Sequence, residues 1–562
     1  MSNNETAAVA TQEEDSFESF AGEIPQDPYA PYANVNWSSQ QQEIISWARE
    51  GTGNTVVIAR AGCGKTFTLV YAATQAPESK IFQCSYGADI SAELKKKVLS
   101  GEASTLHSAG LKQIRTARKG AITISNKVEY SRIRTVREKF INWVSLDCRG
   151  FAPGSITWAT SDKAISTISD VLSWVKNTSP FASTLKEVHE ITLATVISED
   201  CSINWDLKQM ADYGAVIKEA IMIVAMLAKS AMELAVEQFN AKAEKMEISY
   251  DDMLWLPVRT RTIRPLFELI FADEVQDFNS CMLELVQSLL LPGGRMCMIG
   301  DPMQSLYAFR GADPEAMPRM IEKLNAQIFH LTVTRRCPAL VVELAKAIVP
   351  DFTAAPDAPE GYVKEVEKGF MVANVNPGDF ILSRTNAALA KVCMGLLKNK
   401  IRAYIVGRDI GVKLTGILKK IGGKNGFSSL EKMFDKIDSW MMSETEKITK
   451  QDLPDKKKNS LIEDITDQVG VFKILAEDCS TPDEVFGQIS SIFADPDSSK
   501  KEDFVACSTV HRAKGLERET VWVLENSFTR PQSPQEDRIR YVCITRSKLE
   551  LYLVYELVKD QG

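Results

Sequence analysis

The chain has 562 residues, of which 66 are Lys or Arg and 74 are Asp or Glu, giving a formal net charge of −8. Hydrophobic residues make up 44% and charged residues 25%, which excludes a collagen-like, low-complexity or wholly disordered chain. The acidic balance excludes a uniformly basic protein that coats nucleic acid. It allows a local basic groove, because steering depends on where the charge lies. The length indicates about three or four domains, or two domains with large insertions.

Cysteine and histidine are sparse and lack metal-ligand spacing. The chain has 11 Cys and 4 His, with no C-x-x-C pair. This argues against a disulfide framework or a structural zinc site and favours a reducing, cytoplasmic setting. Residues 1–30 contain no Lys or Arg and no apolar core, so we expect no signal peptide. The most apolar stretch, residues 220–228, is far shorter than the roughly 20 residues of a membrane span and predicts a buried helix.

The order of predicted elements indicates an α/β protein in which two helical segments interrupt an alternation of strands and helices. The predicted parts are a disordered acidic tail (1–33), a first α/β domain (34–118 and 246–320) with a helical insertion (119–245), and a second α/β domain (321–411 and 503–562) with a second helical insertion (412–502). The tail is too polar to pack. It either lacks a function of its own, or it is a partner-docking arm or a DNA mimic.

Individual elements follow from short runs of residues. Apolar and β-branched runs predict buried strands, and amphipathic spacing predicts helices. In chain order, the predicted helices are 41–48, 91–99 and 216–239, and the predicted strands are 55–58, 81–84, 269–272, 296–299, 380–382, 504–507, 521–524 and 549–555. In the second insertion, three consecutive lysines at 456–458 predict a loop.

The strand at 55–58 leads directly into a glycine-rich segment. Glycines allow backbone N–H groups to approach phosphates, a lysine reaches the β- and γ-phosphates, and a threonine hydroxyl binds Mg²⁺. The segment therefore predicts a phosphate loop at residues 59–66, although its first residue is alanine where the general pattern has glycine. The residues predicted to contact the nucleotide are Ala61, Gly62, Cys63, Gly64, Lys65 and Thr66.

A nucleotide site of this kind needs acidic groups after a neighbouring strand. The apolar run 269–272 ends in Asp273 and Glu274. We predict that Asp273 binds the metal together with Thr66, and that Glu274 orients or deprotonates the attacking water. Two adjacent acids after a strand are common on protein surfaces, so this prediction depends on the phosphate loop upstream.

Further motifs follow in order along the chain. They are Trp37-Ser38-Ser39-Gln40-Gln41, the phosphate loop, Thr105-Leu106-His107-Ser108, Asp273-Glu274-Val275-Gln276-Asp277, Gly-Asp-Pro-Met-Gln-Ser-Leu-Tyr-Ala-Phe-Arg-Gly-Ala at 300–312, Thr-Val-His-Arg-Ala-Lys-Gly-Leu-Glu at 509–517 and Tyr-Val-Cys-Ile-Thr-Arg at 541–546. In this order they resemble the motifs of the UvrD/Rep/PcrA group of superfamily 1 DNA helicases, whose phosphate loop begins with alanine. The segment at 300–312 is the most specific of them.

The resemblance implies two RecA-like domains, each with a mainly helical insertion, and ATP and Mg²⁺ in the cleft between them. It implies 3′-to-5′ movement on single-stranded DNA, action at junctions of single- and double-stranded DNA, and replication or repair proteins as candidate partners. In the ATP site it implies γ-phosphate contacts by Gln304, Arg336 and Arg546. It also implies an adenine contact by Gln41 and a nucleotide contact by Glu517.

The resemblance further implies contacts to DNA, and base stacking on aromatic side chains suits a motor that must accept any sequence. In the first domain, the implied contacts are Tyr86, Thr105, His107, Tyr307, Phe309 and Arg310. In the second domain, they are Arg384, Asn386, Thr509 and His511.

Two positions depart from the family pattern. Arg335 stands where the family has a tyrosine that stacks on adenine. A planar guanidinium can take over that stacking, which leaves base discrimination to Gln41. The alternative is that Arg335 points to solvent or pairs with a carboxylate. Tyr86 retains the aromatic of a segment whose polar and basic DNA contacts are missing, and the second insertion, about 90 residues, is short for the family.

The leading interpretation is an ATP-dependent DNA helicase or single-stranded DNA translocase. The alternative from another class is an ATP-switched remodeller, or a translocase that displaces proteins without processive unwinding. A helicase–nuclease is disfavoured because 16 residues follow Arg546 and neither insertion has a carboxylate–lysine nuclease motif. An RNA motor of the sister branch is disfavoured by the Gln-Ser-x-Tyr-x-Phe-Arg-Gly segment.

Overall fold

The structure is a computed structural model that describes residues 32, 34–85, 100–118, 120–146, 150–197, 203, 205, 210, 213–241, 243–306, 316–423, 426–450, 455–494, 496, 498–529 and 532–556. The strands are β1 (Thr55–Ala59), β2 (Ile81–Ser85), β3 (Glu102–Thr105), β4 (Ala121–Ile124), β5 (Lys245–Ile248), β6 (Phe267–Ala272), β7 (Leu290–Gly300), β8 (Gln327–Leu331), β9 (Val333–Thr334), β10 (Thr353–Ala354), β11 (Tyr362–Glu367), β12 (Phe380–Ser383), β13 (Ala403–Ile405), β14 (Val505–Thr509), β15 (Arg518–Leu524) and β16 (Ser547–Tyr555).

The helices are α1 (Ser39–Glu50), α2 (Lys65–Gln75), α3 (Leu106–Ala117), α4 (Lys127–Leu146), α5 (Pro153–Ala159), α6 (Ala164–Thr178), α7 (Leu185–Ile197), α8 (Ile217–Asn240), α9 (Tyr250–Arg259), α10 (Ser280–Ser288), α11 (Ala316–Leu324), α12 (Ala339–Lys346), α13 (Lys368–Asn374), α14 (Asn386–Lys398), α15 (Arg408–Gly422), α16 (Leu430–Thr449), α17 (Asp455–Ala476), α18 (Pro482–Ile492) and α19 (Pro534–Ile544). The helix predicted at 91–99 lies outside the described residues.

Six parallel strands form the first sheet, in the order β3-β2-β6-β7-β1-β8. The strand β1 is rich in β-branched residues, which favour extended structure, and Val57 pairs with Ile299 of β7 and Phe329 of β8. Alternate residues of β1 and β6 enter two different apolar cores, so both faces of the sheet are covered. The carboxyl ends of β6, β7 and β1 therefore lie side by side.

A second sheet has the same character. Its strands are parallel throughout and follow the order β11-β16-β15-β12-β14-β13. Every residue of β12 and β14 is buried, as expected for central strands covered on both faces. The predicted fold class, two RecA-like α/β domains that each carry a mainly helical insertion, is confirmed.

The insertions are built from helices. In the first, α8 packs against α4, α5, α6 and α7, and residues 220–228 form a largely buried stretch of α8, as predicted. A short parallel pair, β4 with β5, stands where this insertion begins and ends, a pairing that the sequence did not indicate. In the second insertion, α17 packs against α14 and α16. None of the described helices has the combination of length and apolarity needed to cross a bilayer.

One apolar core joins the two domains. It contains Val57 and Phe271 from the first sheet together with Leu382, Val523 and Tyr541 from the second domain. All five side chains are essentially inaccessible to solvent. Contact between the domains therefore depends on buried apolar surface as well as on polar groups.

Three predictions about the fold were wrong. Residues 456–458 lie in α17, and lysine is a good helix former. The strand β8 pairs with β1 in the first sheet, whereas the sequence assigned it to the second domain. Strand pairing is long-range, and no local feature reveals it.

The third correction concerns Tyr32, within the predicted tail. Tyr32 is buried and stacks on Phe67 at a centroid distance of 4.6 Å, because its ring completes an aromatic cluster. The other residues of the tail up to 31 lie outside the described residues.

The crossing of α3 with α9 provides a test of the packing. A Cβ atom on Gly110 would lie 2.0 Å from the backbone oxygen of Met253, which cannot rotate away. Overpacking of this kind costs about 1–3 kcal/mol, so Gly110→Ala should lower the melting temperature by several degrees. Gly395→Ala in α14 is the matched control, because nothing lies within 4 Å of its added Cβ atom and alanine favours a helix. Both variants are melted while circular dichroism is recorded. Equal melting temperatures for Gly110→Ala and Gly395→Ala would contradict the close crossing.

Candidate nucleotide site between the two sheets

The phosphate loop connects β1 to α2. Gly62 and Gly64 have φ angles of +68° and +75°, which glycine adopts without strain. At Gly62 a side chain is also excluded by space, because a Cβ atom would lie 2.4 Å from the Cβ atom of Arg336. The loop backbone is therefore in close contact with the segment that follows β9.

Four predicted side chains meet where β1 and β6 end. Thr66 Oγ1 donates a hydrogen bond to Asp273 Oδ2 at 2.5 Å, and Lys65 Nζ lies 3.2 Å from Glu274 Oε1. A hydroxyl and a carboxylate oxygen are hard ligands of the type that Mg²⁺ prefers. Thr66 and Asp273 therefore fit the metal that the sequence predicts.

The two acids of this site have different pKa values. Burial and the charge of Glu274 raise the pKa of Asp273 to about 6. Burial also opposes ionisation of Glu274, but Lys65 and Lys514 outweigh it and lower the pKa of Glu274 to about 2. Glu274 also has a φ angle of +56°, a conformation that is rare outside glycine and that recurs at functional sites. At neutral pH, Glu274 is an ionised hydrogen-bond acceptor held in a strained conformation.

Asp301, directly after β7, is the centre of a buried polar network. Its Oδ2 accepts a hydrogen bond from Gln304 Nε2 at 2.7 Å, and its Oδ1 lies 3.5 Å from Arg60 Nη1. Its backbone N–H donates to Gln276 Oε1 at 3.0 Å, and the Gln276 amide donates in turn to Glu274. Gln304, the predicted γ-phosphate contact, is thus linked to the acid pair, and its own amide points to Asp301.

A lysine of the second domain crosses the cleft to this network. Lys514 Nζ lies 2.7 and 2.6 Å from the two carboxylate oxygens of Asp277, and it donates to the backbone oxygen of Gln304 at 2.7 Å. The side chains of Lys514 and Asp277 are 9% and 5% exposed, so water screens this pair only weakly. The ion pair joins the two domains beside the candidate hydrolysis site.

The two arginines predicted to contact the γ-phosphate differ in position. Arg336 lies against the phosphate loop and pairs with Glu517 of the second domain. Arg546 is buried and donates from Nε to the backbone oxygen of Val542 at 2.9 Å. Burial, followed by the charge of Arg336, lowers the pKa of Arg546 to about 10. Arg336 is thus already at the loop, whereas Arg546 is held by the backbone carbonyl of Val542 within the second domain.

The residues predicted to bind the base also have partners. Gln41 is 4% exposed, accepts from the Ser38 N–H at 3.1 Å and donates to Thr68 Oγ1 at 3.0 Å. Its amide retains one further donor and one further acceptor for a base. Arg335 is exposed to solvent, as in the second arrangement weighed from the sequence, and it donates to the backbone oxygen of Asn36 at 2.5 Å.

Each sheet carries one Thr-x-His motif at the carboxyl end of a strand, the edge strand β3 in the first sheet and β14, between β12 and β13, in the second. Thr105 ends β3 and caps α3 by accepting a hydrogen bond from the Ser108 N–H at 3.1 Å, and Thr509 ends β14. His107 and His511 follow two residues later. Burial lowers the pKa of His107 to about 4, so its imidazole is neutral at pH 7. The carboxyl ends of both sheets therefore carry matching polar groups.

Two other predicted DNA contacts are occupied by carboxylates. Arg384 bonds Glu536 at 3.0–3.2 Å, and its side chain is 10% exposed. Asn386 donates from its backbone N–H and its Nδ2 to Asp467 of α17, at 3.0 and 3.2 Å. A DNA phosphate at either place would compete with the acid for the same donors. Four further predicted contacts lie outside the described residues: Tyr86, Tyr307, Phe309 and Arg310.

Comparison with protein families is consistent with this arrangement. The model of the UvrD/REP helicase N-terminal domain matches residues 37–325, which is more than half of the chain. The chain belongs to the UvrD/REP helicase family. The model of the UvrD-like helicase C-terminal domain matches residues 504–554. This family implies the use of ATP.

Individual family members are similar over short stretches. The chain is 29% identical over 117 residues to the putative ATP-dependent DNA helicase YjcD of Bacillus subtilis. The aligned stretch covers 19% of this chain and 15% of that protein. The chain is 24% identical over 172 residues to the ATP-dependent DNA helicase srs2 of Schizosaccharomyces pombe, covering 30% and 19%. For the ATP-dependent DNA helicase Rep of Escherichia coli, the identity is 26% over 111 residues, covering 18% and 16%. The aligned part spans less than a fifth of each relative.

The sequence analysis assigned no role to three residues that the structure places at or near the predicted contacts of this chain. Tyr541 and Lys514 lie within the motifs that carry the resemblance, so their place in those motifs was the available signal. Tyr250 is 46% exposed and lies with its ring centroid 6.4 Å from that of His107. Its signal was the helix start at Ser249, whose capping box precedes the apolar run of α9.

The raised pKa of Asp273 makes a prediction about stability. An acid whose pKa is higher in the folded than in the unfolded chain stabilises the fold below its unfolded pKa of about 4, and this contribution is lost as the pH rises through about 6. Asp273→Asn has no charge to bury. In EDTA its melting temperature should exceed that of the natural chain by a margin that grows from pH 4 to pH 7. A margin independent of pH would contradict the buried charge.

Addition of Mg²⁺ supplies the control for this measurement. The metal should raise the melting temperature of the natural chain at pH 7, because it compensates the carboxylate of Asp273. The same addition should leave Asp273→Asn nearly unchanged.

Proposed function

We propose that the chain is an ATP-dependent DNA helicase or single-stranded DNA translocase, which binds Mg²⁺ and ATP between its two RecA-like domains. The observation that carries the proposal is the contact of Lys514 with Asp277 and Gln304 across the cleft. Groups of both domains meet beside the candidate hydrolysis site. Loss of a phosphate there would change the contacts between the domains, as a two-domain motor requires.

Each group of the proposed ATP site has a defined task. Lys65 and the loop N–H groups bind the phosphates, and Thr66 and Asp273 bind the metal. Glu274, ionised and next to Lys65, accepts a hydrogen bond from the attacking water. Arg336, already at the loop, stabilises the negative charge that develops during hydrolysis. When bound, the nucleotide supplies the phosphoanhydride bond, and the metal compensates the negative charge of the phosphates.

The proposed DNA path crosses the carboxyl ends of both sheets. Thr105 and His107 lie there in the first domain, and Thr509 and His511 in the second. Hydroxyl groups and the neutral imidazole of His107 contact phosphates without a fixed positive charge, so such contacts can be made and released in turn. The exposed ring of Tyr250 adds a surface on which a base can stack, independent of sequence.

Several finer statements belong to the proposal. They are 3′-to-5′ polarity, preference for junctions of single- and double-stranded DNA, action in the cytoplasm and contact with replication or repair proteins. The relatives compared above are named as ATP-dependent DNA helicases, which supports DNA as the substrate. An ATP-switched remodeller, or a translocase that displaces proteins without processive unwinding, is the alternative. Strand displacement separates these two readings.

Strand displacement and ATP hydrolysis, measured in parallel on duplexes with a 3′ tail, a 5′ tail or blunt ends, test the proposal. We expect single-stranded DNA to stimulate hydrolysis and the 3′-tailed duplex alone to be unwound. Lys65→Ala and Glu274→Gln should abolish both activities, because they remove a phosphate contact and the water acceptor. Stimulated hydrolysis without displacement would favour the remodeller, and absence of stimulated hydrolysis would refute both.

A charge change outside the site is the control for these variants. Lys112 belongs to the same domain as Lys65, but it is 59% exposed and pairs with the equally exposed Glu102. Exposed pairs contribute little to stability. Lys112→Ala should therefore keep normal hydrolysis and displacement.

The role of Tyr250 can be tested by DNA affinity. Stacking of a base on an aromatic ring is worth about 1–3 kcal/mol, so Tyr250→Ala should weaken binding of fluorescent oligo-dT by about five-fold or more. Tyr362→Ala is the matched control, because Tyr362 is 40% exposed on β11 at the edge of the second sheet. Equal anisotropy titrations for the two variants would remove Tyr250 from the DNA path.

A further inference from the structure

Tyr541 is a buried phenol that spans the cleft and has no part in the tasks assigned above. It lies on α19 of the second domain and is fully buried. Its hydroxyl oxygen accepts a hydrogen bond from the backbone N–H of Ala61, in the phosphate loop, at 2.9 Å. The same hydroxyl lies 3.3 Å from Asp301 Oδ2. One side chain of the second domain thus contacts both the loop and the Asp301 network of the first.

The chemistry of the groups fixes the direction of these hydrogen bonds. The Ala61 N–H can only donate, so the oxygen of Tyr541 accepts. Its proton is then directed to the carboxylate of Asp301. Burial and the charge of Asp301 raise the pKa of Tyr541, so the phenol stays protonated and remains a donor. The hydroxyl therefore uses a lone pair on one partner and its proton on the other.

Asp301 connects this hydroxyl to groups proposed to act on ATP. The oxygen that lies near Tyr541 also accepts from Gln304 Nε2 at 2.7 Å. The backbone N–H of Asp301 donates to Gln276 Oε1 at 3.0 Å, and the Gln276 amide donates to Glu274. The orientation of Gln304 is therefore shared with Tyr541 through a single carboxylate oxygen.

Separation of the two domains would break this arrangement at a defined point. The Ala61 N–H would lose its partner, and the buried carboxylate of Asp301 would lose one donor. An unsatisfied buried group is costly, so Asp301 and Gln304 would rearrange. The phosphate loop and Gln304 would then both respond to the position of α19.

We propose that Tyr541 is a positioning residue that couples closure of the two domains to the alignment of Gln304 and the phosphate loop. This inference rests on the proposed ATPase function. It assigns to Tyr541 a role through other groups, and not a contact with the reacting atoms.

Removal of the hydroxyl alone tests this coupling. Tyr541→Phe keeps the ring in the shared apolar core and should retain a cooperative melting curve. DNA-stimulated ATP hydrolysis should lose about 10- to 100-fold in kcat, the effect of removing a buried hydrogen bond to a carboxylate, with a smaller change in KM. A non-hydrolysable ATP analogue should alter the affinity of the natural chain for oligo-dT, and this effect should largely disappear in the variant.

Tyr552→Phe is the matched control. The Tyr552 hydroxyl donates to Glu550 at 3.2 Å, and both residues lie on β16. Because this bond makes no contact with the first domain, Tyr552→Phe should keep kcat and the nucleotide effect. A double variant with Gln304→Ala adds an independent measurement. If Tyr541 acts through Asp301 on Gln304, the two losses in kcat should not multiply.

The outcomes separate this inference from the proposed function. If the natural chain shows no DNA-stimulated hydrolysis, the proposed function fails. If the natural chain is active and Tyr541→Phe retains its kcat and its nucleotide effect, Tyr541 has no positioning role. Losses that multiply fully in the double variant, or a loss in kcat matched by an equal loss of folded protein, would also overturn the inference.

Discussion

The parallel pairing of β6, β7 and β1 is the constraint on which the candidate site depends. Because the three strands are adjacent and point the same way, Asp273, Asp301 and the phosphate loop leave the sheet at the same end. Their closeness follows directly from the adjacent strand ends. The register is fixed by side chains that alternate between two apolar cores, since a slip of one residue would exchange the faces.

The two domains are held by contacts of two kinds with different consequences. Apolar residues of both sheets share one core, which favours association without fixing an exact position. Polar contacts at the cleft, such as Lys514 with Asp277 and Tyr541 with Ala61, need specific distances and directions. Small relative movements can therefore change the polar contacts while much of the apolar contact persists. That combination suits a site that must alternate between arrangements.

Sequence reasoning succeeded where neighbours in the chain are neighbours in space. The phosphate loop and the pair Asp273 and Glu274 each follow a single apolar strand, so local pattern was enough to place them. It failed for contacts between distant segments. Tyr541 and Ala61 are 480 residues apart, and nothing near either residue reveals the other. The sheet joined by β8 was missed for the same reason, because pairing is decided by the whole domain.

Carboxylates of the chain occupy positions where phosphates are expected. Glu517 pairs with Arg336, Glu536 with Arg384, and Asp467 accepts from the backbone and side chain of Asn386 at the start of α14. Carboxylate and phosphate oxygens satisfy the same donors, and both suit a helix N-terminus.

Loss of such an acid without replacement would leave its donors unpaired, most seriously at Arg384, whose side chain is 10% exposed, whereas a phosphate would restore the contacts. Under the proposed function, binding of nucleotide or DNA at these positions would exchange one anion for another. Glu517 belongs to the second domain and Asp467 to its insertion. Such an exchange would link phosphate binding to the position of those two parts.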